Sequence, residues 1–146
     1  MDRRRLVMAL AFAAALPRIA RAESKPHRLL LQISDNDPAK MREVLDVAAN
    51  VSRYYSGLNQ EVEVAVVAFG AGIEMLLANR SPVEERLANY FKALPDVAFK
   101  ACGNTLRTLA AKEGAEPPVM KGVEIVPVGV AAILEMAEQG WTVVRP

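Results

Sequence analysis

The stretch Val62-Glu63-Val64-Ala65-Val66-Val67-Ala68-Phe69 limits the possible folds more than any other part of the chain. It opens by alternating and ends as a nearly unbroken, valine-rich apolar run. A run of that length and composition is a strand buried on both faces. Such a strand needs helices above and below it, and so implies a parallel sheet with helical crossovers. Gly70-Ala71-Gly72 follows and opens a short apolar helical segment over 73–77. These glycines read either as a cradle for an anion at a helix start or as a tight strand-to-helix turn. Met75 stands where a dinucleotide-binding fingerprint wants glycine, which favours the turn.

The flanking sequence repeats the same alternation. Residues 29–33 form a short apolar strand, and Ser34-Asp35-Asn36 is turn chemistry. Asp37-Pro38 then supplies an acidic N-cap with proline at the first helical position. Met41, Val44, Leu45, Ala48, Val51 and Tyr55 recur at helical spacing until Gly57. After the glycine turn, Ser81-Pro82-Val83-Glu84 reads as a capping box, with Val83, Leu87, Tyr90, Phe91 and Leu94 as the buried face of its helix. Residues 97–101 are a third strand, and a helix opens near Asn104 and ends near Gly114. A fourth strand over 123–126 leads to a helix striped by Val130, Ile133, Leu134 and Ala137 and closed by Gly140. A last strand covers 141–144. Right-handed crossovers make every strand point the same way. The loops at Asp35, Gly70 and Cys102 therefore share one edge of the sheet, where open α/β sheets carry their chemistry.

The first residues belong to a different kind of segment. Asp2-Arg3-Arg4-Arg5 is a basic opening, residues 6–16 are an apolar run too short to span a bilayer, and Ala20-Arg21-Ala22 is a small-x-small cleavage site. The pattern predicts a signal peptide over 1–22, a single domain over 23–146, and a periplasmic or otherwise exported product. The paired arginines suggest the twin-arginine route. Cleavage removes five arginines and one aspartate, leaving 13 basic against 16 acidic residues. That balance withdraws the basic-patch argument for nucleic acid, and no later apolar run is long enough to hold the domain in a membrane.

Cys102 is the only cysteine, so no internal disulfide is available. It lies where the third strand gives way to a helix, in Phe99-Lys100-Ala101-Cys102-Gly103-Asn104-Thr105-Leu106. Backbone N–H groups at Asn104 and Thr105, with the positive helix end, favour a thiolate there, while a carboxylate at Asp35 would oppose it. The competing reading is a small buried residue that fills the corner. His27, the only histidine, reads as a solvent-exposed linker residue near the mature N-terminus and leaves no material for a Ser/His/Asp triad. No spacing in the sequence suggests a metal site or a cofactor. The candidate site is thus Cys102 as nucleophile, with Asp35, Gly70, Gly72, Asn104 and Thr105 as ligand- or anion-binding residues.

Four segments carry a resemblance: the first strand into Ser34-Asp35-Asn36, the block from Val66 through Ile73, the Cys102 stretch, and the tail Gly140-Trp141-Thr142-Val143-Val144-Arg145-Pro146. In order and spacing the chain resembles the DsrE/DsrF-like family, in particular its small exported branch with a cleavable leader. The resemblance implies a Rossmann-like, three-layer α/β/α fold around a five-stranded parallel sheet, and assembly into homo- or hetero-oligomers. It suggests strand order 4-3-2-1-5, whereas the residue pattern alone fits 2-1-3-4-5 equally well. It also implies sulfur relay, with persulfide sulfur carried on the cysteine that Cys102 matches and exchanged with a donor or acceptor protein. The alternative is a non-catalytic oligomeric protein that binds a small anion or a partner in the same cleft.

Overall fold

The computed structural model describes residues 25–146. The segment read as a signal peptide lies outside the described residues. Five strands form one all-parallel sheet in the order β4-β3-β2-β1-β5: β1 His27–Ile33, β2 Val62–Ala68, β3 Val97–Cys102, β4 Glu124–Val126 and β5 Thr142–Val144. Of the two orders open to the sequence, the structure has the one that the resemblance suggested. The helices are α1 Pro38–Gly57, α2 Glu84–Ala93, α3 Gly103–Glu113 and α4 Gly129–Glu138, with a 3-10 helix over Gly70–Leu76.

The strand order decides where the helices go. The first three crossovers step in one direction across the sheet, and the fourth returns past β1 to the far edge. With right-handed connections, α1, α2 and α3 cover one face and α4 alone covers the other. On the three-helix face, Leu31, Ile33, Val64, Val66, Phe99 and Ala101 interlock with Met41, Leu45, Leu87 and Leu106, all of them buried. The opposite face holds a small cluster of Leu30, Val67 and Ile133, flanked by Phe69, Met136 and Trp141.

Local chemistry accounts for most of the element boundaries. The Asp37 carboxylate accepts the Ala39 N–H at 2.8 Å, so α1 starts where the Asp-Pro pair expects it. Helix α2 starts later than its capping-box sequence suggests, at Glu84. The Ser81 N–H is held by the Leu77 carbonyl at 3.0 Å, and the Glu84 carboxylate reaches past it to accept the Asn79 N–H at 2.9 Å. The Ser81 hydroxyl still accepts the Val83 N–H, at 3.2 Å.

Two further expectations are corrected. His27 is the first residue of β1 and stacks on Tyr55 at 4.1 Å; it is exposed, but part of the sheet and not of a linker. In α4 only Ile133 of the expected stripe is buried. Val130 is 49% exposed and Leu134 is 60% exposed, because no second helix lies beside α4 on its face of the sheet.

Candidate functional site

Cys102 ends β3 and stands at the N-cap position of α3. Two glycines let the backbone close around it. A Cβ on Gly103 would meet the Val126 carbonyl oxygen at 3.0 Å, so glycine allows α3 to begin hard against the end of β4. A Cβ on Gly129 would meet the Cβ atoms of Cys102 and Phe69 at 3.1 and 3.2 Å. Glycine there lets the first residue of α4 lie directly over the thiol. The Gly129 N–H donates to Cys102 Sγ at 3.2 Å. The sulfur thus lies at the N-termini of two helices, its own α3 and the opposing α4.

Thr105 adds a side-chain donor. Its hydroxyl oxygen accepts the Gly70 N–H at 3.0 Å, which fixes the side chain in the first turn of α3 and leaves the hydroxyl proton for the sulfur. Burial raises the Cys102 pKa, but the Thr105 hydroxyl, the Gly129 N–H and the N–H groups of Thr105 and Asn104 together outweigh it. The thiol is held below its ordinary value. The α3 amides act without closing a cap hydrogen bond, and the Asn104 N–H is committed to the Pro127 carbonyl at 3.0 Å. Gly129 and Thr105 are therefore the principal donors. Cys102 is only 4% exposed, at the C-terminal end of β3.

The other sequence-selected residues fall in different places. Gly70 (φ +54°) contributes through its N–H to Thr105 and does not touch the sulfur itself. Gly72 is a packing glycine: a Cβ there would overlap the Ile33 carbonyl at 2.5 Å, and its N–H is used by Phe69 at 3.1 Å. Asp35 pairs with Arg145 at 2.9 Å and is not among the groups acting on the thiol. Gly129 was absent from the sequence-derived set. Its signal was the same topology that grouped the other loops, because the turn after β4, Pro127-Val128-Gly129, must open on that same edge.

A shallow groove of about 400 Å³ borders the site, lined by Gly70, Ala71, Asn104, Thr105, Thr108 and Lys112 among others, with no carboxylate in its walls. A larger cleft of about 610 Å³ lies at the opposite end of the strands, lined by Ser52, Gln60, Glu61, Glu63 and Asp96, and holds no nucleophile activated in this way. Among the described residues no group of three His, Cys, Asp or Glu side chains is placed to hold a metal ion. No described helix is long and apolar enough to cross a membrane.

The DsrE/DsrF-like family matches over residues 28–146, nearly the whole described chain. The chain belongs to the DsrE/DsrF-like family. A solved structure, a protein of unknown function from Methanobacterium thermoautotrophicum, is similar at 28% identity with a TM-score of 0.65; the match covers 82% of this chain and 99% of that one. No curated protein matches the chain. The family is associated with sulfur relay, and the five-stranded parallel sheet with its helices agrees with the solved relative.

Proposed function

We propose that this DsrE/DsrF-like protein carries sulfane sulfur on Cys102, accepting it from a persulfide and passing it to a thiol. The observation that carries the reading is the double helix N-terminus at the sulfur, with the Gly129 N–H at 3.2 Å and the Thr105 hydroxyl oriented by Gly70. A thiolate is the nucleophile in such chemistry, and this surrounding favours it. In the loading step the Cys102 thiolate attacks the outer sulfur of a donor R–S–SH. A new S–S bond forms at Cys102, the donor's S–S bond breaks, and R–S⁻ leaves with the electron pair. Unloading is the same exchange, with an acceptor thiolate as attacking group. With no second cysteine in the chain, the loaded sulfur has no internal thiol to resolve it into a disulfide.

The near-complete burial of the thiol is the observation that favours the second reading, a non-catalytic binding protein in which Cys102 is structural. Alkylation of the folded protein across pH, followed by mass spectrometry after incubation with a persulfide donor, separates the two. The carrier reading expects a midpoint below that of the unfolded chain and a mass increase of one sulfur atom. A thiol that reacts only on unfolding assigns Cys102 to packing. We also propose that the protein is exported by the leader over 1–22. Intact mass from its native host should begin at Glu23, and an uncleaved chain would refute export by this route.

A further inference from the structure

Helix α4 has the composition of a buried helix and the surroundings of a surface one. From Gly129 to Leu134 it contains no polar side chain, and a helix that is apolar all round is normally enclosed. Here only Gly129 and Ile133 are buried, while Val130, Ala131 and Leu134 are exposed, as is Val128 just before the helix. The sheet beside it is also uncovered, with Ala98 exposed on the interior strand β3. The charges on that face are paired internally, Arg28 with Glu63 and Lys100 with Glu124. The ground around α4 therefore has no strong net sign.

The charges on α4 itself indicate what covers it. Glu135 and Glu138 lie in its C-terminal half, no basic residue occupies its last turn, and neither glutamate closes an ion pair among the described residues. Carboxylates at the negative end of a helix are unfavourable, and the positive N-terminus of a neighbouring helix relieves them. Val130, Leu134 and Glu138 are spaced four apart and form one stripe, apolar at the N-terminal end and acidic at the C-terminal end. Such a stripe complements itself when two copies run antiparallel, because each Glu138 then meets the partner's N-terminal turn.

We propose that α4 is a two-fold self-association surface, packing antiparallel against α4 of a second copy with Leu134 at the axis. The proposal goes beyond the family expectation of an oligomer by naming the face and the symmetry. It does not depend on the carrier reading, although the contact begins next to the residue that holds the Cys102 sulfur. Light scattering and sedimentation of the purified protein across concentration test it. The wild type should associate. Leu134→Asp should weaken association by about tenfold or more, as a central contact does, with thermal unfolding of the dilute protein unchanged. Glu138→Lys should weaken it in the same direction, and that solvent-exposed change is read on its own if Leu134→Asp fails to fold. Leu134→Cys in a Cys102→Ser background should form a disulfide-linked dimer on mild oxidation, because an antiparallel two-fold brings residue 134 to its own mate. A monomeric wild type would overturn the proposal. So would an oligomer that Leu134→Asp and Glu138→Lys leave intact and that residue 134 does not cross-link.

Discussion

The two faces of the sheet are built from the same strands but are finished differently. On one face, three helices enclose Leu31, Val64, Val66 and Phe99, and large side chains such as Met41, Leu45, Leu87 and Leu106 are wholly excluded from water. On the other, a single helix covers Leu30 and Val67 and leaves its own Val130 and Leu134 in solvent. Strand composition does not explain the difference, since β2 is buried along nearly its whole length. Connectivity does: three crossovers go one way and one returns. The closed face supplies the stability of the domain, each fully buried aliphatic or aromatic side chain contributing roughly 1.5–3 kcal/mol. The open face has little apolar area to contribute on its own. It is also the face whose helix reaches the thiol, so the proposed chemistry and the proposed association surface fall together where the covering of the sheet is thinnest.

The largest effect that tests this contrast is a pair of truncations. Phe99→Ala removes a ring packed edge-on against Tyr90 and Phe91 on the closed face, and should cost about 3–5 kcal/mol. Leu134→Ala on the open face should change unfolding of the dilute protein by about 0.5 kcal/mol or less. Urea unfolding at low protein concentration measures both. Similar losses at the two positions would mean that α4 is packed within the monomer and that the two faces are equally closed.

The next effect is at the seam between the faces. Gly129→Ala places a methyl group at 3.1–3.2 Å from Cys102 Cβ and Phe69 Cβ, and should cost about 1–3 kcal/mol by overpacking. The same methyl should push the first turn of α4 away from the sulfur, so the alkylation midpoint of Cys102 should move up as the Gly129 donor is lost. Lost stability with an unmoved thiol midpoint would assign Gly129 to packing alone.

Much of this was legible in the chain because it depends on local pattern. The Asp37 cap, the α1 stripe, the nearly all-apolar β2 and the common edge of the loops follow from short-range chemistry and the handedness of crossovers. Helix α4 was not, because periodicity counts apolar positions without saying how many helices share a face. Its stripe of Val130, Ile133, Leu134 and Ala137 reads the same whether one side or two are covered. At the site, Cys102 and Thr105 could be proposed from a strand-to-helix junction within one segment. The Gly129 contact could not, because it links residues 27 positions apart and depends on β4 lying next to β3. The engagement of Asp35 with Arg145 was not legible either, because the two are 110 residues apart in sequence.

The smallest effects concern ionisation of the thiol, and their sign can be worked out. Cys102 has its folded-state pKa depressed, so the folded protein holds the thiolate more readily than the unfolded chain does. Its contribution to stability is then present above the ordinary cysteine value of about 8.5 and is lost as pH falls through the lowered folded value. Wild type should gain stability relative to Cys102→Ser as pH rises across that window, with no divergence below it. Thr105 sharpens the test. Thr105→Val removes the hydroxyl that Gly70 orients, so the alkylation midpoint should move up, whereas Thr105→Ser should restore it. Global stability should fall by only about 1 kcal/mol, the net worth of a typical hydrogen bond. Arg145→Ala is the control: it frees the half-buried Asp35 on the same edge at a cost within about 1 kcal/mol and should leave the thiol midpoint where it was. If Arg145→Ala moves the midpoint as far as Thr105→Val does, the edge's general field sets the thiol. If only the threonine changes move it, the sulfur is governed by the donors that touch it, and by the one helix that the open face contributes.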